Sequence, residues 1–225
     1  MHSRLFLLLI FSAAAQGAIE VSDIRMGLGG YGVSQASWSE SYSAGPWSNS
    51  DSGNDSGTGW DGSVCGAFSL IYTKGHLPYG GGFIWAAGFE STFESHRSTI
   101  MDFPDQPVNT DTFALVGRAG FGLPIGPRVH LECMPEVHFG GMVTDVYDSD
   151  GLVLERRSAS GSYGAIGLHL GGYVTVDHHL VLGIAGGFRR VAGHYSANFV
   201  STGGYDEGAL YYTQWGGQFE IGIRF

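Results

Sequence analysis

Charge is scarce in this sequence. Of 225 residues only 14% are Asp, Glu, Lys or Arg, and there are just two cysteines and seven prolines. With Cys65 and Cys133 far apart and without neighbouring ligands, neither a disulfide framework nor a cysteine-based metal site is expected. Lys and Arg number 11 against 21 acids, a net charge of −10, which excludes a chain that holds nucleic acid through its phosphates. Beyond the N-terminus no apolar run approaches the roughly 20 residues a membrane helix needs.

Glycine is plentiful instead, at 38 residues, and aromatics reach 13%. So much glycine excludes helical bundles and coiled coils. The chain opens MHSR, LFLLLIFSAAA and AQG, a basic start, an apolar stretch and small residues. This predicts a secretory signal peptide over 1–17, cleaved after Gly17, followed by one domain over 18–225. Export would permit a disulfide, but no local motif around Cys65 or Cys133 supports one.

Eight candidate strands follow: Ile24–Trp38, Ser63–Tyr72, Gly82–Phe93, Thr112–Leu123, Arg128–Val143, Ser162–Val176, His179–Tyr195 and Ala209–Phe225. Short turns, KGHLPYG, PIGPR and Asp177-His178, alternate with longer polar segments at Ser39–Gly62, Glu94–Asp111, Thr144–Gly161 and Ser196–Gly208. Tight turns at one end and long connections at the other describe an up-and-down antiparallel meander. Pro135 falls inside the fifth strand, where it cannot donate to the ladder, so a β-bulge or a split strand is expected there.

Side chains alternate across a strand. One face collects Phe83, Trp85, Ala87 and Phe89, then Phe113, Leu115, Ala119 and Phe121, Ile166, Leu168 and Leu170, and Leu182, Ile184 and Phe188. The other carries Arg25, Glu90, Arg118, His130, Glu132, Glu136, His138, His169, Arg189, Glu220 and Arg224 among glycines. A soluble lipocalin-like barrel would turn the charges outward. Export, long strands and the glycine-rich charged face favour the inverse arrangement, in which apolar residues meet lipid and acids and bases pair inside.

The chain ends in QFEIGIRF, a strict alternation that stops on Phe225. This ending resembles the C-terminal strand signature of bacterial outer-membrane barrels, and the layout resembles the small eight-stranded OmpA/OmpX type. The resemblance implies an all-β, eight-stranded antiparallel up-and-down transmembrane β-barrel in the cell outer membrane, with Phe225 read by the barrel assembly machinery. Outer-membrane lipid and lipopolysaccharide would surround it, and an unknown surface ligand would meet its long acidic extracellular loops.

Four motifs bear on chemistry. GLGGYG at 27–32 has the letters of a dinucleotide fingerprint but lies in a strand with no helix after it, so no cofactor is expected. His130, Glu132, Glu136 and His138 are metal-ligand types, yet they span about 25 Å of extended chain and cannot share one ion, so a lumen network with the arginines is expected and no metal. Asp51, Asp55 and Asp61 offer oxygens for Ca²⁺ without the spacing of a calcium loop.

The fourth, GHYSAN, puts His194 and Ser196 on the same face of a strand, with Glu207 on that face of the next. Histidine as base, serine as nucleophile and a carboxylate orienting the histidine suit ester cleavage. The segment is similar to the outer-membrane lipid A 3-O-deacylases, which would give His194, Ser196 and Glu207 those roles. That family has Asn directly after the serine, whereas here Ala197 intervenes before Asn198. The alternative is a polar rim where strands leave lipid, with Tyr211, Tyr212, Trp215 and Trp85 as aromatic girdles. A non-enzymatic structural or surface-interaction barrel, a lipid A esterase and a soluble lipocalin-like binder all stand as readings of the chain.

Overall fold

The computed structural model describes residues 18–44, 47–55, 64–78, 80–97, 107–149, 154–199 and 203–225. All regular structure in them is strand: β1 (Ile19–Ala44), β2 (Trp47–Asp55), β3 (Val64–Leu77), β4 (Gly82–Arg97), β5 (Pro107–Pro124), β6 (Val129–Ser149), β7 (Leu154–Thr175), β8 (Leu180–Asn198) and β9 (Tyr205–Arg224). The signal segment 1–17 and Asp61 lie outside the described residues, as do the side chains of Asp51 and Asp55.

Each strand pairs antiparallel with its sequence neighbour from β3 to β9, and β1 pairs with both β3 and β9. The sheet therefore closes on itself as a ring of eight strands. β2 is outside that ring. It folds back on the far half of β1, from Ala36↔Asp55 to Ala44↔Trp47, at the end where β1 has left β3. Most of what was expected as a first long loop is thus hairpin, and β4 to β9 likewise run several residues into the segments expected to be loops. Backbone donors drive this, because a paired strand satisfies N–H and C=O groups that a free loop would leave to water.

Pro135 does not bulge. β6 is continuous, and the β5–β6 register is the same on both sides, Arg118↔Glu136 and Phe121↔Cys133, with only the two pairs between them missing. On the other side Pro135 pairs with Leu168 in an unbroken ladder. The lost N–H interrupts one ladder locally and leaves the strand straight, so Glu132 and Glu136 share a face. The irregularity sits instead in β1, between Ser34 and Ser37 against β9, just beyond GLGGYG, which is plain strand.

Polarity is inverted relative to a water-soluble protein. Ile184 is 74% exposed and Phe139 73%, whereas Arg25 and Glu220 are 2% exposed and Arg189 1%. The lipocalin arrangement, with apolar residues inside, is not the one observed. Apolar clusters fill both ends of the ring, and two more, Ile71 with Ala86 and Val116, and Ala114 with Met142, Tyr163, Ala165, Val191 and Tyr212, lie between them. Ile19, Val21, Leu77, Ile84 and Met134 fill the short-turn end, and Val146, Ala159, Tyr195, Ala197 and Phe199 fill the other. Cys133 is a free thiol on the outer wall.

Large inward side chains need glycine beside them. The Tyr173 ring lies across two glycines: a Cβ on Gly183 would stand 2.2 Å from its Cδ1, and one on Gly171 2.5 Å from its Cε2. Gly66, by contrast, has open space around its missing Cβ. Gly183→Val is expected to displace the ring and cost about 1–3 kcal/mol, whereas Gly66→Val leaves stability nearly unchanged. Urea unfolding of the two variants in detergent checks this, and equal midpoints would contradict the slot.

Candidate functional site

The lumen is built from inward-facing positions of every strand of the ring. At the short-turn end Arg25 reaches across to β6, donating from Nη1 and Nη2 to the two oxygens of Glu132 at 3.0 and 2.8 Å, and from Nη2 to Asp23 at 2.9 Å. Its guanidinium lies 3.7 Å from the centre of the Tyr173 ring, whose other neighbour, His130, stacks at 5.3 Å and contacts Glu132 at 2.9 Å. Arg224 closes the layer, donating to Asp23 from Nε at 2.8 Å and to Thr175 at 2.8 Å.

The next layer holds Arg118 against Glu136 at 3.0 Å, with Glu220 3.9 Å away. Tyr173 donates its hydroxyl to Glu220 at 2.9 Å and meets His169 at 3.1 Å. Above it Arg189 bonds Glu90 and Gln214, faces His138 and rests 4.3 Å from the Tyr31 ring. Gln214 in turn donates to Glu94. Three arginine layers thus succeed one another inside the ring.

All ten expected lumen residues, Arg25, Glu90, Arg118, His130, Glu132, Glu136, His138, Arg189, Glu220 and Arg224, lie on the inner face. The strip on β6 is divided between layers: His130 and Glu132 serve Arg25, while Glu136 and His138 serve Arg118 and Arg189. Among the described residues no cluster of His, Cys, Asp and Glu is arranged to hold a metal. Asp23, Tyr173, Gln214 and Glu94 complete the network and were not singled out from the sequence. Parity was the available signal, since Asp23 is two residues from Arg25 and Gln214 six from Glu220.

On the outer wall the structure brings His194 to Glu207, with Nε2 3.0 Å from Oε1, both side chains about half exposed. Ser196 is the registered neighbour of Glu207 across the β8–β9 ladder. The three therefore share one outward corner near the far end of the ring, and His194 Nδ1 is the nitrogen left for a serine. They stand beyond the apolar stretch of β8, in rows that on β6 still include exposed Val143. The last large apolar outward residue of β8 is Phe188, eight positions before Ser196. Phe225 ends the ring, its backbone N–H donating to Ser22 of β1 at 2.9 Å and its side chain 73% exposed.

Because Arg25 is bonded to two carboxylates with almost no exposure, Arg25→Met should destabilise the fold by roughly 3–5 kcal/mol through the charge left unpaired on Glu132. The double variant Arg25→Met/Glu132→Leu should recover much of that loss. Denaturant midpoints measure both, and a double variant no more stable than the single would show that packing on Tyr173, not charge pairing, dominates.

No protein-family model matches the chain, and no match to a curated protein is found. Among solved structures the chain is similar to the outer membrane protein OprG from Pseudomonas aeruginosa, at 11% identity and a TM-score of 0.36, over 89% of this chain and 96% of that one. It is also similar to Ail, the attachment invasion locus protein of Yersinia pestis, at 12% identity and 0.30, over 87% and 99%. The outer membrane protease OmpT from Escherichia coli matches at 11% and 0.36, over 90% and 97%. No residue role is carried over from them.

Proposed function

We propose that the chain is an outer-membrane β-barrel with a closed lumen, exported by residues 1–17, its strands spanning the bilayer. The inverted polarity of a ring-closed sheet carries this reading. The outer wall exposes Phe83, Phe89, Phe113, Phe139, Ile166, Ile184 and Phe219 in a continuous band, while acids and bases pair within. In water such a band would drive aggregation; in lipid it is the favoured surface. Phe225 at the seam is the residue the assembly machinery would read.

A lumen crossed by Arg25, Arg118 and Arg189, each tied to carboxylates, serves as a scaffold and not as a conduit. The working surfaces are then the outer wall and the long-connection end, where the barrel contacts lipopolysaccharide and surface ligands. Reconstituted in a planar bilayer, the protein should show no stable openings of about a nanosiemens or more. Steady channels of that size would refute the closed barrel.

A second reading, ester hydrolysis, is favoured by the His194–Glu207 contact beside Ser196. Ser196 Oγ would attack an ester carbonyl, passing its proton to His194, which hands it to the alcohol as the ester C–O bond breaks; water, deprotonated by His194, would then release the acid from the acyl-enzyme and restore the serine. Lipid A from cells making the wild type should lack one acyl chain that Ser196→Ala leaves in place, read by mass spectrometry. Identical lipid A from both eliminates deacylation.

A further inference from the structure

Arg190 stands out on the outer wall. The outward positions of β8 run Ile184, Phe188, Arg190, Ala192, His194 and Ser196. Arg189, beside it, points inward to Glu90, whereas Arg190 is exposed and makes no ion pair or hydrogen bond among the described residues.

Its surroundings change in steps across β6 to β9. The row below it is Pro135, Leu168, Phe188 and Trp215, each the registered partner of the next. Its own row is Val137, Ile166, Arg190 and Thr213. The row above holds Phe139, Gly164, Ala192 and Tyr211, followed by Gly141, Ser162, His194 and Ala209, and then Val143, Ser160, Ser196 and Glu207, so that β6 stays apolar while β7, β8 and β9 turn polar or small. The small side chains at Gly164 and Ala192 leave an open depression of about 590 Å³ against this wall, with Val137, Ile166, Arg190 and Tyr211 on its border.

An arginine on a lipid-facing wall costs about 2–4 kcal/mol at the bilayer midplane but only about 0–1 near the interface. Arg190 lies where β7, β8 and β9 change from large apolar to small and polar outward residues, with Tyr211 and Trp215 on the adjoining strand, which suits headgroup depth on this side of the wall. A guanidinium there matches a phosphate, which it can hold through two parallel hydrogen bonds. Above it the same wall offers hydroxyl, imidazole and carboxylate groups for about 20 Å along the strand. A glycerophospholipid has little to place against that height, whereas a lipid with sugars beyond its phosphate does.

Building on the membrane reading above, we propose that Arg190 and the depression around it form a site for a phosphorylated glycolipid of the outer leaflet. Its phosphate rests on Arg190, an acyl chain follows Phe188, Leu168 and Trp215, and its sugars lie against the His194 and Ser196 rows.

The test titrates detergent-solubilised full-length protein with bis-phosphorylated lipid A, the same lipid dephosphorylated, and phosphatidylglycerol, read by native mass spectrometry. The wild type should bind the phosphorylated lipid A roughly ten-fold more tightly than either comparison lipid. Arg190→Gln should lose that margin, and Arg190→Lys should keep part of it. Equal affinity of wild type and Arg190→Gln overturns the site, and phosphatidylglycerol binding as tightly as lipid A overturns the glycolipid. Heat-dependent gel mobility and a need for detergent, checked first on each protein, report the membrane reading separately. A wild type that stays dispersed without detergent would defeat that reading before any lipid is added.

Discussion

Closure between β1 and β9 is the constraint on which the rest of the structure depends. β1 and β9 are the first and last strands of the ring, and their register runs from Asp23↔Arg224 to Ser43↔Tyr205. Once that seam is bonded the eight-stranded ring has no open edge, and its strands can be apolar outside without leaving their ladder groups unpaired. The seam is also where charge is concentrated. Asp23, fully buried, accepts from Arg25 on its own strand and from Arg224 on the closing strand. A carboxylate so placed holds the first and last strands to one register, because a slip would strand it without a partner.

Closing the ring with the apolar face outward forces the polar face into a narrow interior, and that interior has to be filled. Arginines and tyrosines do it in layers: Arg25 on Tyr173, Arg118 between Glu136 and Glu220, Arg189 on Tyr31. Such long side chains fit only where the facing wall is glycine, as Gly171 and Gly183 show beside Tyr173. Low charge, high glycine and abundant aromatic residues are thus one requirement seen three ways. The charges are few because each needs a partner inside, and the glycines are many because each partner needs room.

Period-two parity was legible from the sequence, and the ionisable residues it groups on one face, such as Arg25, Glu90, Arg118, Glu132 and Arg189, are buried in the structure. Pairing was not. Arg25 and Glu132 are 107 residues apart, and which layer a residue joins depends on the stagger of strands that never neighbour each other in the chain. The expected four-residue strip from His130 to His138 consequently split between separate arginines. Pro135 suggested a bulge because a missing donor was read as a bend; the ladder absorbed it with two absent pairs. The strands extend past the ends their composition suggests, since Ser, Asn, Asp and Gly mark loops in most sheets but here continue the ladder. The strand Trp47–Asp55 arose from such a segment. Arg190 escaped notice because its neighbour Arg189 had the obvious inward role.

Strand length then decides how the outer wall is to be understood. On its outward face β8 carries large apolar residues only as far as Phe188, and the strand continues ten residues to Asn198. At roughly 3.3 Å per residue and a tilt near 40°, the stretch from Arg190 to Ser196 rises about 15 Å. If Arg190 marks the phosphate plane, His194, Ser196 and Glu207 stand above it, among sugars and not among acyl esters. Ester cleavage at that corner would then require its substrate to be lifted from the bilayer. Saccharide contact needs no such displacement, and the same His194–Glu207 pair, exposed and hydrogen-bonding, suits it. The height of one unpaired arginine therefore separates two readings of a histidine, a serine and a glutamate that their mutual geometry alone leaves equal.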